Sequence, residues 1–132
     1  MYLLDTNICI FAIKQKSKSL LETIHNNVKN GIYVSALTVA ELEHGISNSQ
    51  YVERNRLGLL KFLSPFQILD FTEKDSIPYG QIKTVLKKDG NIIGPIDLLL
   101  ASQAISNNLI FVTNNTKEFE RVPNLQIEDW SI

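Results

Sequence analysis

The sequence predicts a three-layer α/β fold, in which a central, mostly parallel sheet of four to five strands carries helices on both faces. Short apolar runs rich in β-branched and aromatic residues, such as residues 32–34, alternate with amphipathic stretches long enough for helices. No repeat, linker or low-complexity tract interrupts this alternation. Strands that alternate with helices usually pair in parallel and bind ligands beyond their carboxyl ends.

The strands and helices follow one another along the whole chain. Leu20, Ile24 and Val28 show the apolar stripe of a helix, which Asn30 and Gly31 end. Strands are predicted at residues 2–4, 32–34, 66–69 and 109–112, with a last edge strand at 126–128. Helices are predicted over residues 8–14, 19–29, 37–47, 51–63, 72 to about 88, and from 95 onward.

The helix predicted from residue 72 has a recognisable start. Thr72 and Asp75 have the spacing of a capping box. Pro78 lies beyond the first turn of this predicted helix, where a proline can kink the backbone. Gly90 ends the helix, and Pro95 opens the next one.

The composition is that of a small intracellular domain. With 132 residues, of which 44% are hydrophobic and 20% charged, we expect a single domain over residues 1–132. Cys9 is the only cysteine, and with His25 and His44 it does not form a zinc-binding set. No signal-like segment and no apolar run of about 20 residues is present, so we expect a cytoplasmic protein without membrane contact. The net charge of −1 argues against binding nucleic acid by bulk charge alone.

Acidic residues stand twice at the edge of an apolar segment, at Asp5 and at Asp97. An ionised carboxylate beside a core is costly unless something pairs with it. Mg²⁺ and Mn²⁺ take oxygen ligands, are often held by few carboxylates, and leave positions for phosphate oxygens and water. The pattern therefore indicates phosphodiester chemistry.

Asp5 and Asp97 also have structural explanations. Asp5 can cap the helix that follows it. Asp97 can complement a helix dipole in the first turn, although it shares a helical face with the small residues Ala101 and Ala104. That shared face favours a side chain that leans inward.

Two further acids compete with close neighbours. Glu41 has capping-box spacing from Thr38, and the apolar stripe of that helix favours Glu43 instead. Glu118 can pair with a cap at residue 115, and Glu120 lies close by. Spacing alone leaves both choices open.

Four short motifs occur in the order found in PIN-domain proteins. They are Leu4-Asp5-Thr6-Asn7, Ala40-Glu41-Leu42-x-x-Gly45, Gly94-Pro95-Ile96-Asp97-x-x-x-Ala101 and Val112-Thr113-Asn114-Asn115-x-x-Glu118-Phe119. The chain resembles the VapC-type toxins of bacterial toxin–antitoxin pairs over essentially its whole length. The resemblance implies a PIN-like fold.

The resemblance also assigns a set of site residues. The acidic set that it implies is Asp5, Glu41, Asp97 and Glu118. Many family members have an aspartate where this chain has Asn115, so the fourth carboxylate falls to Glu118. Asn7 and Thr113 are implied as groups that orient the carboxylates by hydrogen bonds.

The implied activity is metal-dependent cleavage of RNA. Asp5 and Asp97 are expected to hold Mg²⁺, or Mn²⁺ in its place, while Glu41 and Glu118 complete a second site or bind through water. By resemblance, the substrate is tRNA, with the anticodon loop as a candidate cleavage site, and the result is arrest of translation. The implied partners are a second copy of the chain and a VapB-like antitoxin whose tail blocks the site.

Two non-catalytic alternatives remain at this point. A receiver-like Mg²⁺-binding switch carries an acid pair on its first strand, whereas the first strand here offers only Asp5. A degenerate PIN domain with a regulatory or interaction role is expected to lose acids, and this chain keeps four. A third class, the haloacid-dehalogenase-type phosphatases, is excluded, because its Asp-x-Asp signature needs an acid where this chain has Asn7.

Overall fold

A single five-stranded sheet forms the centre of the molecule in the computed structural model, which describes residues 1–132. The strands are β1 (Tyr2–Leu4), β2 (Ile32–Ser35), β3 (Gln67–Leu69), β4 (Ile110–Val112) and β5 (Ile127–Glu128). Their order in the sheet is β3-β2-β1-β4-β5, and every neighbouring pair is parallel. The predicted α/β architecture is confirmed.

Helices cover both faces of this sheet. They are α1 (Thr6–Ile13), α2 (Lys18–Asn27), α3 (Ala36–Ser47), α4 (Val52–Leu63), α5 (Ser76–Lys88), α6 (Pro95–Ser106) and α7 (Thr116–Phe119). Helices α1 to α4 pack on one face, and α5 to α7 pack on the other. None of the helices has both the length and the apolar character that crossing a bilayer requires.

The strands explain why there are two apolar layers. Successive side chains of a strand point to opposite faces, so Leu4 and Val112 face α1 to α4, whereas Leu3 and Phe111 face α5 to α7. All four of these side chains are completely buried. A sheet that is buried on both faces needs such continuous apolar strands.

The region before α5 differs from the prediction. A short 3₁₀ turn (Glu73–Asp75) precedes α5, and the predicted capping acid closes this turn: the Thr72 backbone N–H donates to Asp75 Oδ2 at 2.8 Å. Because α5 begins only at Ser76, Pro78 falls in its first turn. A backbone N–H there has no partner within the helix, so the proline removes no hydrogen bond.

The parallel topology brings several polar residues to one edge of the sheet. Asp5 directly follows β1, α3 begins directly after β2, and Thr113 follows β4. Helix α6 leads back toward the start of β4, so its first turn, with Asp97, lies at the carboxyl edge as well. This edge is where ligands bind in open parallel sheets.

Candidate active site

Asp5 is the buried centre of the site, with 3% of its surface exposed. Its Oδ1 accepts a hydrogen bond from the Thr6 backbone N–H at 2.8 Å, which makes it the N-cap of α1. Its Oδ2 accepts a hydrogen bond from Thr113 Oγ1, also at 2.8 Å. The capping role and the site role therefore coincide in one residue, whose two oxygens are both held in place.

The environment of Asp5 disfavours its charge. Burial raises the pKa of Asp5, and the hydrogen bonds from Thr113 and Thr6 offset part of this effect. The negative charges of Glu41 and Glu118 raise the pKa further. Both glutamates are therefore close enough to repel the Asp5 carboxylate.

Asp97 is half-buried in the first turn of α6. Burial is the largest cause that raises its pKa, to about 7, followed by the charges of Asp5 and Glu118, a hydrogen bond with the Glu118 carboxyl, and the charge of Glu41. Four carboxyl groups thus share one region at the carboxyl edge of the sheet. The Asp97 side chain thus points toward the interior, as its place on the same helical face as Ala101 and Ala104 predicts.

Glu41 reaches the site along the exposed edge of α3. Its Oε1 accepts a hydrogen bond from Thr6 Oγ1 at 2.8 Å. Glu43, which the helical stripe favoured, forms an ion pair with Arg56 at 3.1 Å instead. Glu41 lies beside the other acids and Glu43 does not, because Glu41 approaches them over the solvent-exposed side and not through the core.

Glu118 is held by the residue that directly precedes its own short helix, α7. Asn115 Nδ2 donates a hydrogen bond to Glu118 Oε2 at 2.9 Å, and the Asn115 backbone N–H donates to Thr113 Oγ1 at 3.0 Å. Glu120 is exposed, and its charge is not among the causes that shift the pKa of Asp5 or Asp97. Asn115 thus orients the Glu118 carboxylate and adds no carboxylate of its own.

Two hydroxyl groups beside the acids, those of Thr6 and Thr38, were not predicted from the sequence. Asn7, expected to orient a carboxylate, is exposed and forms no side-chain hydrogen bond with the four acids, whereas Thr6 bonds to Glu41. The predicted cap at Thr38 is also wrong, because Ser35 is the N-cap of α3. The Thr38 hydroxyl lies 3.0 Å from that of Thr6.

The acidic cluster has no basic partner within the protein. The single ion pair of the chain, between Arg56 and Glu43, leaves all four site carboxylates uncompensated. No three acidic, histidine or cysteine side chains already close around one point as a complete metal site. An uncompensated oxygen donor set still fits a divalent cation such as Mg²⁺, which proteins often bind through one or two carboxylates and several waters.

Comparison with known protein families identifies this fold. The model described as the PIN domain matches residues 2–125. The chain belongs to the PIN-domain family.

Curated relatives place this PIN domain among the VapC proteins. It is 45% identical over 131 residues to ribonuclease VapC2 of Rickettsia felis, with 98% of each chain covered. It is 43% identical over 130 residues to the tRNA(fMet)-specific endonuclease VapC of Shigella flexneri, again with 98% of each chain covered.

Solved structures give the same result. VapBC2 from Rickettsia felis, bound to a DNA fragment from its promoter, superposes on this PIN domain with a TM-score of 0.93 and 44% identity, covering 98% of both chains. DNA-bound VapBC from Salmonella typhimurium gives a TM-score of 0.92 and 40% identity, covering 98% of this chain and 97% of the other. The match extends over the whole fold and includes the edge that carries the acids.

A groove of about 610 Å³ lies beside the acidic cluster of this PIN domain, between α1, α3 and α4. Glu41 lines it, and Ile10 and Leu42 contribute apolar surface. Lys14 and Arg54 add positive charge to its walls. The site is therefore continuous with a surface large enough to receive part of another molecule.

Proposed function

We propose that this chain is a metal-dependent endoribonuclease that acts as the toxin of a toxin–antitoxin pair, with residues 1–132 forming one PIN domain. One observation carries the proposal: four carboxyl groups meet at the carboxyl edge of the sheet without any cationic partner. These residues are Asp5, Glu41, Asp97 and Glu118. The names of the curated relatives, ribonuclease and tRNA(fMet)-specific endonuclease, support the same chemistry.

The four acids divide into two roles in this proposal. Asp5 and Asp97 would hold Mg²⁺, or Mn²⁺ in its place, and Glu41 and Glu118 would bind at a second position or through water. When bound, the cation polarises the scissile phosphate and makes a nearby water more acidic. Thr113, through its hydrogen bond to Asp5 Oδ2, keeps that carboxylate turned toward the site.

Glu41 and Glu118 would orient and activate the attacking water. Glu41 accepts a hydrogen bond from Thr6 on one oxygen, and Glu118 accepts one from Asn115 on one oxygen. The second oxygen of each glutamate would orient the attacking water in line with the phosphate and accept its proton.

We propose tRNA as the substrate, with cleavage in the anticodon loop and arrest of translation as the consequence. The relative that is 43% identical and named for tRNA(fMet) supports this choice. The partner would be a VapB-like antitoxin, as in the VapBC structures. An arginine from its tail could pair with the acidic cluster through charge-assisted hydrogen bonds while apolar residues fill the adjacent groove. The chain itself would form a homodimer.

The deciding experiment combines cleavage in vitro with mapping in cells. The purified chain is incubated with total tRNA in Mg²⁺ and in excess EDTA, and RNA ends are sequenced after a short induction in bacteria. We expect discrete cuts that require the cation and that recur at one tRNA position in cells. Full cleavage in EDTA would refute metal dependence, and intact RNA in both settings would favour a non-catalytic interaction role.

A further inference from the structure

Two threonines lie behind Glu41, and neither belongs to the acidic set. Thr6 Oγ1 is 2.8 Å from Glu41 Oε1 and 3.0 Å from Thr38 Oγ1. Thr38 is completely buried in α3, one turn before the exposed Glu41. We propose that Thr38 and Thr6 form a hydrogen-bond relay that positions Glu41 for the reaction, an inference that rests on the proposed function.

The number of protons fixes the direction of this relay. A threonine hydroxyl has one proton to donate, and an ionised carboxylate can only accept. Thr6 therefore gives its proton to Glu41, and it must accept the proton of Thr38. The order is Thr38 to Thr6 to Glu41, from a buried anchor to an exposed acid.

The hydrogen bond from Thr6 restricts the rotamers of the exposed Glu41 side chain. The bond from Thr6 is the only side-chain hydrogen bond of Glu41, and an exposed glutamate samples several rotamers without one. Thr38 has the stiff side chain of a β-branched residue and is held inside a helix. The relay therefore transmits a fixed orientation from the core to the site.

Thr6 also joins two acids of the site. Its backbone N–H donates to Asp5 Oδ1 at 2.8 Å, while its hydroxyl donates to Glu41. One residue therefore sets the separation of these two carboxylates. Thr6 and Thr38 are positioning residues in this scheme, because they act through Glu41 and Asp5.

A double-mutant cycle in the full-length chain tests the relay. We expect Thr6→Val to lower kcat for tRNA cleavage about tenfold with little change in KM, as for a lost hydrogen bond to a charged group. Thr6→Ser, which keeps the hydroxyl, should retain most of the rate. In a Glu41→Gln background, Thr6→Val should change kcat less than about twofold, because the two residues act as a unit. A full tenfold loss in that background would overturn the relay.

Thr38 distinguishes positioning from simple packing. Thr38→Val keeps the shape of the side chain and removes the hydroxyl, and Thr38→Ser restores it. We expect the valine variant to lower kcat and the serine variant to recover it. Thr84→Val is the control for removing a threonine hydroxyl from an exposed helix position, because the Thr84 hydroxyl donates only to the Gly80 carbonyl of its own helix. If Thr38→Val lowers the melting temperature but leaves kcat unchanged, the contact is structural only and the proposal fails.

A titration without RNA separates this inference from the proposed function. Mn²⁺ binding is measured by calorimetry for the wild type, Thr6→Val and Glu41→Gln. We expect Thr6→Val to weaken binding in the wild-type background and to have no further effect in Glu41→Gln. This result would support the relay even if RNA were not cleaved, and unchanged Mn²⁺ affinity in Thr6→Val would contradict it.

Discussion

Asp5 and Asp97 differ in the way the protein holds them. Asp5 has a hydrogen-bond donor on each oxygen, whereas Asp97 lies among other acids, whose negative charges raise its pKa. A carboxylate pair without cationic partners is stable near neutral pH only when a proton or a metal ion offsets the repulsion. Removing the charge of either aspartate should therefore impair the function of the site and leave the fold intact.

We therefore expect Asp5→Asn and Asp97→Asn each to abolish RNA cleavage while the fold stays intact. Both substitutions keep the side-chain shape and remove a charge from a site that is held by few carboxylates. Cleavage of tRNA in Mg²⁺ and thermal melting followed by circular dichroism check the two parts of this prediction. Wild-type cleavage by either purified variant would contradict the assignment.

The choice of glutamates gives a second residue-scale prediction. Glu118→Gln and Glu41→Gln should slow cleavage without a loss of melting temperature. Glu120→Gln is the matched control for the first, since Glu120 is exposed and away from the cluster. Glu43→Gln is the control for the second, and loss of its exposed ion pair with Arg56 should change stability by at most about 1 kcal/mol. If Glu120→Gln is as damaging as Glu118→Gln, the fourth acid is misplaced.

The strands and long helices could be predicted because each leaves a repeating pattern. Runs such as residues 2–4 and 32–34 have no polar interruption, and the turn residues that follow mark their ends. Helix α7 spans only Thr116–Phe119, and one turn is too short to show a period. Its start was visible only as possible capping at residue 115.

Contacts between elements could not be predicted from local patterns. Thr6 and Thr38 meet across α1 and α3, and no periodic pattern in either helix indicates that contact. Glu41 was selected by family resemblance, since burial patterns identify residues that face the core and Glu41 stands at an exposed edge. The order of the strands determines which residues meet at the edge of a sheet, and a local periodic pattern carries no information about that order.

At the scale of elements, α6 is fixed to the sheet by a buried amide. Ser35 Oγ donates to Gln103 Oε1 at 2.5 Å, and Gln103 Nε2 donates to the Leu69 carbonyl at 3.3 Å. These bonds tie the helix that carries Asp97 to the carboxyl ends of β2 and β3. Gln103→Leu should lower the free energy of unfolding by about 1–3 kcal/mol, because Ser35 and Leu69 lose buried partners.

Urea unfolding of purified variants checks this role of Gln103. Ser35→Ala should destabilise the Gln103→Leu variant less than the wild type, because only the cap that Ser35 Oγ provides to the Leu37 backbone N–H is then left to lose. Additive losses from the two substitutions would show that they do not act through a shared bond.

At the scale of the whole molecule, the acidic cluster makes stability depend on pH. Folding raises the pKa of Asp5 and Asp97 above the ordinary value of 3.8, to about 7 for Asp97. Between these values the folded chain binds more protons than the unfolded chain, so the free energy of unfolding falls as pH rises through that window. The destabilisation is complete above the folded pKa.

The melting temperature of the metal-free protein should therefore be lower at about pH 8 than at about pH 5. Asp97→Asn should reduce this difference, and Mg²⁺ at the higher pH should restore stability by binding only the folded state. Differential scanning fluorimetry in EDTA and in Mg²⁺ provides the measurement. An equal pH dependence in Asp97→Asn would show that other groups cause it.

Expressed alone in a bacterial cell, this chain should arrest growth, and a small partner encoded beside it should relieve the arrest. An uncompensated acidic cleft beside a groove of about 610 Å³ suits a partner that brings both a basic residue and an apolar segment. Because the basic residue and the metal ion would compete for the same carboxylates, antitoxin binding should weaken as Mn²⁺ is added. Growth and tRNA integrity are followed for the wild type and Asp5→Asn side by side, with matched expression. Equal toxicity from the two would separate growth arrest from catalysis and contradict the proposed function.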